Sequence, residues 1–234
     1  MAVGALIFFT AFVALGTWQV HRRAWKLDLI ARVDQRVHAP AVPAPPAAQW
    51  ADVTAANSEY RHVTASGTFL NGSETLVQAT TDLGAGFWVL TPLRQADGTL
   101  VLINRGFVPP ERRDRAAHGA SEPTTAATVT GLLRMPESGG AFLRKNDPAA
   151  DRWYSRDVQA IAKARGLGRV APYFIDAEAT SGSDAAAPVG GLTVIAFHNS
   201  HLVYVITWYT LALMVVGGMW IVIREERRAR RGSP

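Results

Sequence analysis

The sequence predicts an α+β membrane protein, in which two terminal transmembrane helices flank a mainly antiparallel β domain with one packed helix. Three observations lead there. Long apolar runs stand near both ends of the 234-residue chain, at residues 2–20 and 202–223. Arg residues crowd the ends of those runs, where membrane proteins carry their topology signals. Between the runs, short apolar segments alternate with polar residues and are punctuated by Gly, Pro, Asn and Asp, as strands and turns are.

Composition narrows the class. With 48% hydrophobic residues and seven Trp, the chain has too much apolar surface for a disordered protein. A net charge of +5 suggests nucleic acid at first sight, but its position at the span ends argues for a membrane, and no nucleic-acid partner is expected. The chain has no Cys, which excludes disulfides, thiolate metal sites and thiol redox chemistry.

In the first run only Thr10, Thr17, Trp18 and Gln19 interrupt the apolar residues. Roughly 19 residues at about 1.5 Å each nearly cross a hydrocarbon core of about 30 Å. The run lacks a basic segment before it, and residues 16–21 lack a small-x-small cleavage pattern, so a retained anchor is expected rather than a signal peptide. The second run carries no charge and is too long and too uniformly apolar for a buried soluble helix.

Orientation follows from the tail. Arg224, Arg227, Arg228, Arg230 and Arg231 directly follow the second span, and such clusters stay cytoplasmic. Two spans then put both termini in the cytoplasm and the domain outside. His21, Arg22, Arg23, Lys26 and Arg32 follow the first span and are exported with the domain, since long loops translocate largely regardless of charge. Two readings of this exported cluster stand: contact with phospholipid headgroups, or a site for an anionic ligand or partner. The expected organisation is span 1 at 1–21, a helical extension and linker at 22–57, an extracytoplasmic β-rich domain at 58–197, span 2 at 198–224 and a basic tail at 225–234.

After the first span, residues 25–37 continue as helix, with Leu27, Leu29, Ile30 and Val33 as apolar positions. Residues 39–48 are too Pro-rich for helix or central strand and predict a stiff extended linker. Val63, Ala65, Gly67 and Phe69 alternate with polar residues as a half-buried strand does. A strand at 76–79 follows the Asn71-Gly72 turn. Strands at 87–93 and 100–104 are joined through Asp97-Gly98, a strong hairpin signal. Further short strands are expected at 129–133 and 173–175. Ser155 is a candidate cap for a helix with Val158, Ile161 and Ala162 at helical spacing, ending near Gly166. Long loops are expected at 109–125 and 177–191, and the strands number five to seven in a sheet or barrel.

No hydrolase, Walker or H-E-x-x-H motif occurs, and no nucleophile–base pair is apparent, so an enzyme is not expected. Gly84-Ala85-Gly86 lacks the following helix of a phosphate cradle and reads as a turn. His62 and His118 stand apart from other ligand types and read as surface residues. A turn explains Gly106, and a salt bridge to a loop carboxylate explains Arg105.

The informative histidines are His198 and His201, at the mouth of the second span. Helical spacing puts Tyr204 and Trp208 on the broad face of His201. The exit of span 1 and the entry of span 2 share a membrane face, so Trp18, Gln19, Arg22, Arg23 and Lys26 can face His198, His201 and Tyr204. Two readings remain open on residue chemistry alone. One is helix packing with interfacial Trp and Tyr anchors. The other is a site for a flat, amphiphilic, anionic ligand such as haem, with imidazole as axial ligand and Arg or Lys on the propionates.

The motifs then match a known pattern. Leu15-Gly16-Thr17-Trp18-Gln19 with Arg22-Arg23, Lys26 and Leu29-Ile30 resembles the opening motif of the Surfeit locus protein 1 family. Phe87-Trp88-Val89-Leu90-Thr91-Pro92-Leu93 and Val101-Leu102-Ile103-Asn104-Arg105-Gly106-Phe107-Val108-Pro109 are similar to its central motifs. His201-Leu202-Val203-Tyr204, Thr207-Trp208-Tyr209 and Leu211-Ala212 are similar to its closing motif. The Pro/Ala-rich residues 41–57 and the loop at 177–191 depart from the family pattern.

The resemblance implies a non-enzymatic assembly factor for haem–copper terminal oxidases in the bacterial inner or mitochondrial inner membrane, and a bacterial member is expected here. Bacterial members are proposed to bind haem a and aid its insertion into the catalytic subunit. His201 matches the family's proposed axial ligand, with no metal other than the haem iron; His198 lies outside the aligned motif and is the second choice. Arg22, Arg23 and Lys26 match family positions, and the propionate contact is our extension. Trp18, Gln19, Tyr204 and Trp208 are expected to line the site. Expected partners are the oxidase catalytic subunit, the haem a synthesis enzyme and membrane lipid. The alternative is a structural partner of the oxidase that carries no cofactor.

Overall fold

The computed structural model describes residues 2–113, 126–140, 144–179, 187–193, 195 and 200–231. His118, His198 and most of the two expected long loops lie outside these residues. The chain divides into two compact units, Met1–Arg32 with Ile195–Pro234, and Val33–Val194.

The first unit is a pair of long helices. Helix α1 runs unbroken over Ala2–His38, so the first span and its expected helical extension are one element. Its partner, numbered α4 because two helices intervene in the chain, is His201–Arg231. Both contain segments long and apolar enough to cross a membrane, and only 11% and 6% of those segments are buried. A core helix of a soluble protein would be mostly covered; these are the apolar, uncovered helices of a membrane protein.

The second unit is a sheet of seven strands: β1 (Val42–Pro43), β2 (His62–Phe69), β3 (Thr75–Thr81), β4 (Gly84–Arg94), β5 (Leu100–Val108), β6 (Ala127–Arg134) and β7 (Val170–Ala177). Their order is β1-β2-β6-β7-β5-β4-β3, and a further pairing of β2 with β4 closes five of them into a small barrel. Most pairings are antiparallel, while β1–β2 and β5–β7 are parallel. Two short helices complete the unit, α2 (Ala55–Ser58) and α3 (Val158–Ala164).

The alternation seen in β2 points Val63 and Ala65 into the barrel, where they meet Leu93, Val101, Ile103, Leu133, Tyr173 and Ile175. Strands β5 and β7 are covered on both faces. Leu102 and Phe174 turn outward and pack with Leu90, Val77 and Trp153 under Val158 and Ile161 of α3. This double coverage is why β5 is a continuous apolar run.

Three local expectations are corrected. The N-cap of α3 is Asp157, whose carboxylate accepts from the Ala160 amide; Ser155 is buried and accepts from Gly140 N and Asn146 Nδ2. The Pro-rich linker is extended but docked: Pro43 lies on the edge strand β1, where its missing N–H costs no ladder bond. Pro45 accepts from Trp50 Nε1 at 3.0 Å and from Tyr173 Oη at 2.8 Å. Burial pushes the Tyr173 hydroxyl up to about 12. Finally, Gly84 and Gly86 open strand β4, paired with Thr81 and Ala79.

Candidate functional site

The two helices of the first unit meet along one seam. At its centre Gly16 lies against the Tyr209 ring; a Cβ there would stand 3.0 Å from the ring. The missing side chain is what lets the helices approach. Thr17 Oγ1 donates back to Val13 O at 2.9 Å, so across the seam Tyr209 Oη donates to it at 3.1 Å. One turn toward the α1 N-terminus, Phe12 stacks on Trp208 with centroids 5.9 Å apart. One turn the other way, Gln19 Oε1 lies 2.8 Å from His201 Nδ1. Gln19 is only 9% exposed although it is a polar residue in an apolar span.

The seam thus brings together His201, Gln19 and Trp208 among the sequence-predicted residues. Arg22, Arg23 and Lys26 stand three, four and seven positions beyond Gln19 on the same side of α1, and Arg23 and Lys26 are half-buried. The Arg22 guanidinium lies 4.6 Å from the Trp25 ring centroid. Trp18 and Tyr204 lie off the seam, 56% and 50% exposed, as membrane-facing anchors would be. The helical spacing that groups Tyr204 with His201 is met, but the packed face runs through Trp208 instead. His198 is outside the described residues.

For haem, the donor chemistry of this seam fits one axial imidazole. Nδ1 of His201 is engaged by Gln19, Nε2 is the nitrogen available to a metal, and cationic side chains continue along the same side of α1 for anionic groups. Among the described residues, no three His, Asp or Glu side chains cluster as ligands for a bare metal ion.

The domain holds a second polar site that sequence reasoning missed. Asp176, 4% exposed at the end of β7, accepts from Asn104 Nδ2 at 2.8 Å, Arg134 Nη1 at 2.9 Å, Thr193 Oγ1 at 3.0 Å and Arg156 Nη1 at 3.1 Å. Arg134 also donates to Glu59 at 2.9 Å, and Arg156 pairs with Glu137. Burial works against charge on Arg134, but Asp176 and Glu59 outweigh it and hold its pKa above the ordinary value. Burial likewise raises Glu137, yet Arg156 prevails and holds its carboxyl below the usual range. A cavity of about 180 Å³ lies beside this network, with Trp88, Gly106 and Leu192 in its wall. The available signal was Asp176 itself, a carboxylate closing the apolar run Tyr173-Phe174-Ile175.

Of the two conspicuous residues of the second central motif, Gly106 lies inside β5 and not in the expected turn, while Arg105 has its expected partner. Gly106 has φ of +129°, and a Cβ would stand 2.2 Å from Val189 O, because Phe107 pairs with Val189 there. Arg105 lies 3.5 Å from the buried Glu74, the loop carboxylate expected of it. His62 is half-buried instead of on the surface, with Nδ1 2.8 Å from Ala39 O and Nε2 2.8 Å from Glu178.

Comparison with known proteins agrees with these motifs. The model of the SURF1 family matches residues 6–213. Surfeit locus protein 1 of Rattus norvegicus is 36% identical over 219 residues, covering 86% of this chain and 68% of that protein. The Homo sapiens protein of the same name is 36% identical over 249 residues, covering 98% and 77%. The SURF1-like protein of Monosiga brevicollis is 35% identical over 232 residues, covering 93% and 85%. The match takes in most of the first span, the central strands and the His201 motif with the first half of the second span, and the chain belongs to the SURF1 family.

Proposed function

We propose that this protein is a chaperone for the assembly of a haem–copper terminal oxidase, holding haem a at the outer membrane face and aiding its insertion into the catalytic subunit. The observation that carries the haem part is His201, fixed at the end of a helix seam by Gln19 through Nδ1, so that Nε2 is the nitrogen that would take a metal. Haem a bound there supplies the iron centre that the client needs. The protein's own residues would hold and orient it: His201 as ligand to the iron, with Arg22, Arg23 and Lys26 as partners for propionates on the adjoining turns of α1. A single protein ligand would suit a group that is to be handed on. The membrane is a bacterial inner membrane, with both termini cytoplasmic and the domain outside.

The test is spectroscopic. Full-length protein co-produced with a haem a synthesis system and purified in detergent is expected to show a Soret band that His201→Ala loses. A His201→Ala protein with the full band overturns the ligand assignment. The exposed apolar side chains of both helices, among them Phe8, Leu6, Val203 and Leu213, favour a second reading as a partner of other membrane helices without cofactor. Unchanged co-purification of the oxidase with His201→Ala, together with no Soret band in the unsubstituted protein, selects that reading.

A further inference from the structure

A neutral imidazole carries its proton on one nitrogen only, and the nitrogen without it is the one that binds metal. Among the described residues, the neighbour that makes this choice for His201 is Gln19. Gln19 presents Oε1 to Nδ1 at 2.8 Å, and a carbonyl oxygen only accepts, so Nδ1 carries the hydrogen. The lone pair is then on Nε2. Gln19 is itself firmly placed, being nearly buried, on an uninterrupted helix and one turn from the close contact of Gly16 with Tyr209. A polar side chain buried in an apolar span is costly unless bonded, which explains why the pair stays together.

We propose that Gln19 is a positioning residue that fixes His201 as the Nδ1–H tautomer and so presents Nε2 as the ligand atom. The proposal rests on the haem reading for its purpose, but the tautomer is a property of the apo-protein and stands or falls separately. Outer hydrogen bonds of this kind orient a ligating imidazole and raise its basicity, and their loss typically lowers metal affinity about 10- to 100-fold.

The experiment uses the full-length protein in lipid nanodiscs with 15N-labelled histidine. The His201 signals are those missing from the spectrum of His201→Gln. Expected in the apo-protein is a protonated Nδ1 and an unprotonated Nε2. Gln19→Leu removes the acceptor and gives a mixture containing the Nε2–H tautomer. A protonated Nε2 in the unsubstituted protein, or a Gln19→Leu spectrum identical to it, overturns the proposal.

Titration with ferric protoporphyrin adds a second readout. Gln19→Leu is expected to weaken binding about 10- to 100-fold; equal affinity in Gln19→Leu overturns the positioning role. If the unsubstituted protein shows the expected tautomer but takes up no porphyrin, the haem reading fails and the tautomer assignment survives.

Discussion

Among single residues, Asp176 stands at the centre of a buried ionic network in the domain. It is buried, and two guanidinium groups from β6 and the segment before α3 converge on it. Replacing it with Asn keeps the shape and removes the charge that offsets Arg134 and Arg156. Breaking a buried pair from one side typically costs about 3–5 kcal/mol, because the remaining charge is left without compensation. Asp176→Asn is therefore expected to lower the stability of the full-length protein in detergent by that order, read by denaturant titration with Trp fluorescence. A loss under about 1 kcal/mol would mean that Glu59 and Glu137 suffice to hold the two arginines. The chemistry of Asp176 was visible in the sequence only as a carboxylate after an apolar run. Its partners lie 42 and 20 positions away, and nothing local to either Arg specifies the meeting. His201 was legible because it belongs to a contiguous motif at a span boundary. Gln19 was legible as a neighbour but not as its hydrogen-bond partner, since helix rotation decides that and the periodicity of an all-apolar span leaves rotation open.

At the scale of elements, the barrel is closed by a short contact. Strands β2 and β4 pair only through Thr68 with Arg94 and Phe69 with Leu93. Gly67 makes the crossing possible: a Cβ there would stand 2.2 Å from Arg94 O. Gly67→Val is expected to open this edge at a cost of about 1–3 kcal/mol, with faster amide exchange at Leu70, whose N–H is bonded to Pro92 O. Gly72→Ala, in the turn just beyond, meets nothing within 4 Å and should leave exchange at Leu70 unchanged. Equal effects of the two variants would show that the contact at Gly67 is not what closes the barrel. The strands themselves were legible from alternation and turn residues, and the Asp97-Gly98 hairpin formed as expected, with Gly98 at φ +80°. The parallel pairing of β5 with β7 was not. Both strands are buried on two faces, so their apolar runs carry no alternation and hence no mark of face or neighbour. The cap of α3 was off by two residues because Ser155 and Asp157 are both good capping types, and the buried bonds of Ser155 to Gly140 and Asn146 took it out of the competition.

For the whole molecule, topology decides whether the candidate site has the face it needs. Two basic clusters compete. Arg22, Arg23, Lys26 and Arg32 follow the first span, while five Arg follow the second within residues 224–231. The rule that positive loops stay inside weighs short segments near a span most heavily, and a long domain crosses largely regardless of its charge. The tail cluster lies directly against its span; the first cluster leads into the domain of well over 100 residues, Val33–Val194. The tail is therefore expected to hold the cytoplasmic side, with His201, at the opposite end of the second span, on the outer face. The chain contains no Cys, so single cysteines report its topology without background. Leu83 is suitable in the domain, 55% exposed in the turn between β3 and β4, and Arg227 is suitable in the tail. In intact cells a membrane-impermeant maleimide is expected to label Leu83→Cys and to reach Arg227→Cys only after permeabilisation. The reverse pattern would turn the domain and His201 to the cytoplasm and end the reading of this site as an outer-face haem carrier. Labelling of both in intact cells would mean that the second helix does not cross.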